Sequence, residues 1–444
     1  MKKPMLLFLG VFIVVWLAAC GGNNNEPNNE GNDENNDDVE ANNEDGPNNN
    51  DEEDITLRIA WWGDQLRTEQ TNEVIKLFED QNPHITLEAE YADWSDYWRK
   101  LAPQAAANEL PDIIQMDLRY ITQYADKNQL ADLTPYLGEQ IDTNNIDDNV
   151  ISGGEVDDGI YGFALGINAL GFHYNAELLD ELGVGPIPDD WTWDDYIDLA
   201  DQVADEGLVF DDSMESDVYF DYYLRTHGDR LYAEDGSGLG YDDDQLFVDF
   251  FDMLYDRVKA GSAPTPDALT QLSGMEDSSV VKEEGIGRWK WSNQFVGLSE
   301  VADFPLEIHP MPGPNVEDGL FLKSSMFFSV AENSEHKEAA AKFIRFFLND
   351  PEANKIILAE RGVPVSSEIK DTIKDEVSDA QIQVIEYIEW VEENSAPAGA
   401  AEPSETSEII ELLEDVRDEI MYDQIGVEDA AEKFRSDAED IFTD

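Results

Sequence analysis

The chain predicts an α/β protein whose sheet is largely parallel and covered by helices on both faces. Three observations carry that expectation. Short runs of period-two hydrophobicity alternate with longer runs of helical periodicity from Ile55 onward. Of 444 residues, 41% are hydrophobic and 10% aromatic, which is enough to build a large core. At this length two domains are the first expectation.

The elements follow in order. Ile55, Leu57, Ile59 and Trp61 alternate with Thr56, Arg58 and Ala60, as in a strand. Val74, Leu77 and Phe78 share one helical face, ended by Asn82-Pro83. Ile85, Leu87, Ala89 and Tyr91 mark a second strand, followed by a helix from about Ser95. Pro111–Met116 reads as a third strand, with a helix from about Arg119. In open α/β sheets ligands sit at the carboxyl ends of strands. That singles out Trp62-Gly63-Asp64, Asp93-Trp94 and Asp117-Leu118-Arg119. The middle, about 170–303, is more helical: Thr192 reads as an N-cap with Asp195 at N3, and helical patterns follow near 216–226 and 243–259. Another α/β stretch starts near Phe304, with a strand at 326–330 and helices at 335–348 and 351–360. From 378 the chain is helical, acidic and amphipathic, broken by a loop at 396–403.

The charge excludes several functions. With 27 basic and 100 acidic residues the net charge is −73, so phosphate contacts to nucleic acid are ruled out, as is electrostatic binding to anionic lipid. One cysteine forms no disulfide framework, and five scattered histidines lack metal-ligand spacing, so no metal or cofactor is expected. There is no nucleophile elbow or P-loop, and Gly285-Ile286-Gly287 lacks the third glycine of a dinucleotide fingerprint. A pair of carboxylates for glycoside hydrolysis could be found anywhere among 100 acids, so none is informative.

Lys2 and Lys3 precede an apolar run, Met5–Ala19, that reads as a secretory signal and is short for a spanning helix. Leu17-Ala18-Ala19-Cys20 followed by Gly21-Gly22 resembles the bacterial lipobox. That likeness implies cleavage before Cys20 and its lipidation, giving an extracytoplasmic protein anchored to the cell membrane. Residues 21–54 hold 13 acids and no basic residue, a composition that builds no core. As a disordered tether they reach roughly 30 Å.

Beyond the leader, nine tryptophans remain, eight of them in close pairs: Trp61/Trp62, Trp94/Trp98, Trp191/Trp193 and Trp289/Trp291. Neighbouring strand residues point to opposite faces, so one member of a pair can be structural while the other lines a cleft. Aromatic faces beside Asp, Asn and Arg suit a sugar, whose C–H face packs on a ring while its hydroxyls need donors and acceptors. Trp62 and Trp291, with Asp64, Arg67 and Asn293 nearby, are read as ligand contacts. Trp193, beside the helix cap, and Trp390, on the tail, are read as packing.

Ten short motifs in order then resemble one family, the extracellular solute-binding proteins of carbohydrate ABC importers (maltose-binding-protein-like, family 1). The likeness is nearest to Gram-positive oligosaccharide-binding lipoproteins. The motifs include Ile59-Ala60-Trp61-Trp62-Gly63, Leu110-Pro111-Asp112-Ile113-Ile114, Gly166-Ile167-Asn168, Trp191-Thr192-Trp193-Asp194, Trp291-Ser292-Asn293-Gln294 and Arg361-Gly362-Val363-Pro364. The resemblance implies a two-lobe periplasmic-binding-protein-like fold (type II) with the ligand cleft between lobes. By that likeness the N-terminal lobe is 55–167 plus 306–366, and the C-terminal lobe 168–305 plus 367–444. It places Trp62, Asp64, Arg67, Asp117, Arg119, Asn168, Tyr222, Tyr223 and the pair Trp289/Trp291 at the sugar, with Trp94 and Arg361 as additions. It leaves open which of that i,i+2 pair faces the sugar, since the two share a face but differ in depth. It also implies an ABC permease as partner.

The expected protein is a non-catalytic, monomeric oligosaccharide receptor that delivers sugar to an importer by hinge closure. An anchored glycan hydrolase or lyase, and the same fold with a non-sugar solute, are the alternatives. The folded body, 55–444, keeps 25 basic and 87 acidic side chains, net −62, so the acidity belongs to its surface and fits a salt-loving source.

Overall fold

The computed structural model describes residues 54–63, 65–138, 140–157, 159–212, 216–272, 274–399, 403 and 405–443. The leader, Cys20, the tether and Asp64 lie outside the described residues.

Two larger sheets organise the body. Their strands are β1 (Ile55–Trp62), β2 (Ile85–Ala92), β3 (Ile113–Met116), β4 (Phe163–Ala164), β5 (Leu170–Tyr174), β6 (Val209–Asp211), β7 (Gly285–Trp291), β8 (Glu307–His309) and β9 (Phe327–Val330). The first sheet runs β2-β1-β3-β9-β4 and the second β8-β5-β7-β6. Each has its own helices, giving two α/β lobes.

The first lobe follows the sequence closely. In β1, Leu57, Ile59 and Trp61 are buried as the alternation requires, and Ala60 and Trp62 are buried too, because helices cover both faces of this central strand. Helix α1 (Gln65–Gln81) buries Val74 and Phe78 and stops where Asn82 turns its amide back onto the Phe78 carbonyl, 2.8 Å away. Helix α2 (Trp94–Ala107) is capped by Asp93, whose carboxylate accepts from the Asp96 amide, and α3 (Leu118–Asp126) by Asp117, which accepts from the Arg119 amide. Both begin one residue earlier than the pattern suggested, because the aspartate just after each strand serves as the cap.

Two expectations need correction. Only part of the sheet is parallel: β1 pairs parallel with β2 and β3, but β9 is antiparallel to β3 and β4, and β5 is antiparallel to β7 and β8. The second correction concerns the chain from 306 to 320, expected in the first lobe. Glu307–His309 instead pairs with β5, Trp191 Nε1 donates to the Pro310 carbonyl at 3.0 Å, and the Tyr222 hydroxyl to that of Pro312 at 2.9 Å. This segment is therefore bound into the second sheet, and the chain returns to the first only at Lys323–Ser325.

There, Ile167–Asn168 and Lys323–Ser324 form a short antiparallel ladder, Lys323 opposite Asn168. Ile167 also bridges to Val363. Gly166 lies so close to the backbone here that a Cβ would stand 2.4 Å from the Arg361 carbonyl oxygen.

The expected capping box at Thr192/Asp195 is present and opens the helix Trp193–Asp205. The acidic tail forms helices Asp379–Glu393, Thr406–Met421 and Val427–Thr443. The last packs on the second lobe, where the rings of Phe434 and Phe247 stack at 5.6 Å.

Candidate ligand-binding site

The residues singled out from sequence fall into three groups. The first surrounds the carboxyl end of β1. The Trp62 ring meets Trp94 edge-on at 4.9 Å, Tyr97 at 5.3 Å and Trp98 at 5.7 Å. Trp98 lies 4.1 Å from Tyr120, and the Arg119 guanidinium stands 5.8 Å from the Trp94 ring. Trp62 itself is buried, whereas Trp94 and Trp98 are half-buried and form the accessible part of the cluster. Arg119 is open to solvent, with its Nε 3.5 Å from Asp117 Oδ1. Neighbouring Tyr97, whose hydroxyl donates to the Gln115 carbonyl at 2.6 Å, is held neutral by burial, which pushes its phenol well up.

Two arginines of this group work inside the lobe. Arg67 is bound to Glu360 at 2.8 Å, and its Nη1 lies 3.3 Å from the Trp62 carbonyl. Arg361 departs from the expectation of a ligand contact. It is fully buried, and its guanidinium donates to Thr71 Oγ1 at 2.8 Å and to Gln115 Oε1 at 3.4 Å. Gln115 in turn donates to the Trp62 carbonyl at 3.1 Å. Arg361 thus positions the platform from behind, its guanidinium enclosed by Thr71, Gln115, Glu360 and the Phe347 ring.

The second group sits at the crossing. Asn168 is 6% exposed, and its side-chain oxygen is buried without a hydrogen-bond partner. Ser292 fixes the next residue by exchanging bonds with Ala169: its amide donates to the Ala169 carbonyl at 2.8 Å, and the Ala169 amide donates to its hydroxyl at 3.2 Å. Trp291, at the end of β7 opposite Leu170, is therefore held next to the crossing. Its ring meets Phe321 edge-on at 5.8 Å, and the Lys323 ammonium stands 4.5 Å from its centroid. Asn293, the first residue of the helix Asn293–Val301, is exposed beside it.

The third group is an aromatic nest inside the second lobe. Trp289 is buried among Tyr196 at 4.9 Å, Tyr219 at 5.2 Å and Trp193 at 5.7 Å, and its carbonyl accepts from the Tyr219 hydroxyl. The i,i+2 pair is thereby resolved by depth: Trp289 is core and Trp291 is the more open platform. Tyr222 is buried with its hydroxyl on Pro312. Tyr223 packs against Trp193 at 5.4 Å and His227 at 4.3 Å, and burial pushes its phenol up to about 12. Trp193, expected as packing, is buried in this nest.

Sequence reasoning missed Tyr97, Trp98, Tyr120, Gln115, Phe321 and Lys323 as parts of these groups. Trp98 carried a signal through its i,i+4 spacing from Trp94. Phe321 and Lys323 carried none, because their meeting with Trp291 is made by a strand crossing. Among the described residues no cluster of His, Cys, Asp or Glu has metal-ligand geometry, and no helix is long and apolar enough to cross a membrane.

The chain is similar to known proteins over most of its body. A family 1 extracellular solute-binding protein from Alicyclobacillus acidocaldarius superposes with a TM-score of 0.79 at 25% identity, over 88% of this chain and 100% of that one. An uncharacterised ABC transporter extracellular-binding protein of Pyrococcus horikoshii is 24% identical over 312 residues, 67% of this chain and 70% of the relative. The arabinooligosaccharide-binding protein of Halalkalibacterium halodurans is 25% identical over 204 residues, 44% of this chain and 45% of the relative. The family model for bacterial extracellular solute-binding proteins matches residues 73–383, reaching from α1 through both lobes and both crossings, and the chain belongs to that family.

Proposed function

We propose that this solute-binding protein is an oligosaccharide receptor serving an ABC importer. The observation that carries the reading is the crossing: the half-buried Trp291 ring on the strand next to Asn168, whose buried side-chain oxygen has no partner. A sugar stacks its apolar face on an indole and can donate a hydroxyl to such an acceptor. The Trp62/Trp94/Trp98 cluster supplies a second platform at the end of β1. The arabinooligosaccharide binder among the relatives supports the same ligand class.

The lobes in this reading are 54–167 plus 323–373, and 168–322 plus 378–443, hinged at the Asn168/Lys323 ladder. Sugar held by both lobes favours a closed form by its differential affinity, and the closed form docks on the permease. Trp62, Asp64, Trp94, Asp117, Arg119, Asn168, Trp291 and Asn293 are the proposed contacts, with Tyr222, Tyr223 and Trp289 supporting from beneath. Lipidation at Cys20 would hold the monomeric receptor at the membrane.

The test is a thermal-shift screen of oligosaccharides, because a ligand of the native state raises stability by mass action. A saturable shift without release of shorter products supports a receptor. Turnover of the sugar overturns it in favour of an enzyme, and a response only to non-sugar solutes overturns the ligand class.

A further inference from the structure

Bases are scarce in this body, with 25 against 87 acids between 55 and 444. Most of its lysines stand within 4 Å of a carboxylate, as Lys76 does with Asp80 and Lys374 with Glu389. Lys100, Lys127, Lys342 and Lys323 do not, and of these four only Lys323 is half-buried: among the described residues its ammonium has only the Trp291 ring, 4.5 Å from the centroid. In a chain with more than three carboxylates for every base, this local isolation needs a structural cause.

The cause lies in the crossing strand. Along 320–324, Leu320, Leu322 and Ser324 are buried while Phe321 and Lys323 face the other way. Phe321 is fixed from behind by the Arg225 guanidinium, 4.6 Å from its ring centroid. Arg225 is itself anchored on the carbonyls of Gly319, Pro397 and Ala398 at 2.9–3.1 Å. The strand therefore presents Lys323 over one face of the Trp291 ring, directly across the ladder from Asn168, whose side-chain oxygen has no partner. A neutral sugar would leave a full positive charge there facing hydroxyls alone. The other platform also has a cation beside it: Arg119, 75% exposed near Trp94, with Asp117 Oδ1 3.5 Å from its Nε.

From this geometry we infer that the solute is an acidic oligosaccharide, with a uronate carboxylate accepting from Lys323 while its ring lies on Trp291. The inference rests on the sugar reading above and narrows it. A charged hydrogen bond from half-buried Lys323 distinguishes a uronate from the neutral sugar of the same shape.

The experiment screens two panels by thermal shift: galacturonate, mannuronate and guluronate trimers, and maltotriose, xylotriose and arabinotriose. The best ligand is then measured by calorimetry on the wild type, Lys323→Met and Lys323→Arg, alongside its methyl ester. The expected result is an acidic best ligand, with binding weakened on the order of tenfold or more both by esterification and by Lys323→Met, and retained by Lys323→Arg. A neutral best ligand, or acid binding unchanged in Lys323→Met, overturns the inference and leaves the sugar receptor standing. No response to either panel removes the sugar reading itself.

Discussion

Gln115 Nε2 donates to the backbone carbonyl of Trp62 across 3.1 Å, in the interior of the first lobe. The other end of the same amide accepts from Arg361, whose backbone carbonyl packs against Gly166 of the crossing chain. One side chain therefore couples the end of β1, where the platform begins, to the segment that joins the lobes.

Replacing that amide by a hydrocarbon tests the coupling. Gln115→Leu removes both bonds at a site with no solvent, and stability should fall by about 1–3 kcal/mol. Urea unfolding measures the loss. Ligand affinity should weaken as well, since Trp62 would no longer be fixed; unchanged affinity in calorimetry would show that the platform does not depend on this bond.

The tryptophans should separate into two classes. Trp94→Ala and Trp291→Ala, at the half-buried positions, are expected to weaken sugar binding by roughly 1 kcal/mol or more each, as an aromatic platform does. Trp289→Ala, made in the buried nest, should instead cost about 3–5 kcal/mol of folding stability. Calorimetry alongside denaturant titration distinguishes the two outcomes, and equal destabilisation by all three would reject the division by depth.

His173 gives the fold a pH signature. It is fully buried on β5, edge-on to Phe295 at 5.2 Å, with both ring nitrogens lacking hydrogen-bond partners. Burial, reinforced by Arg288 and Lys290 on the adjacent strand, lowers its pKa to about 3. The unfolded chain takes up this proton near pH 6.5 and the folded one does not. The stabilising contribution is complete above that pH and is lost as pH falls from about 6.5 toward 3. His173→Phe should flatten this acid limb by a few kcal/mol while leaving stability at pH 8 nearly unchanged. An identical pH profile in the variant would remove His173 as the source.

The surface charge makes stability depend on salt. A net of −62 on the folded body opposes compactness, and at molar salt the Debye length shrinks to about 3 Å. We expect the urea midpoint to rise between 0.05 M and 2 M KCl. A flat response would argue against adaptation to a saline habitat.

Local patterns made much of this protein legible. The alternation in β1, the Asn82-Pro83 stop and the Thr192/Asp195 box each depend on residues a few positions apart, so the chain specifies them without knowledge of the rest. The ordered motifs extended that to the fold class. What sequence alone could not decide was depth and partnership across distance. Trp289 and Trp291 share a strand face, and only the nest of Tyr196, Tyr219 and Trp193 makes one core and leaves the other open. Arg361 and Lys323 are both cations near a candidate site, yet one is buried on Thr71 and Gln115 while the other is presented beside Trp291. The return of the chain at 323 rather than 306 belongs to the same class, since a strand's partner is chosen by packing of the whole sheet. Periodicity reports which face a residue takes. Which faces meet, and which cations find a carboxylate, is fixed only when the two lobes cross.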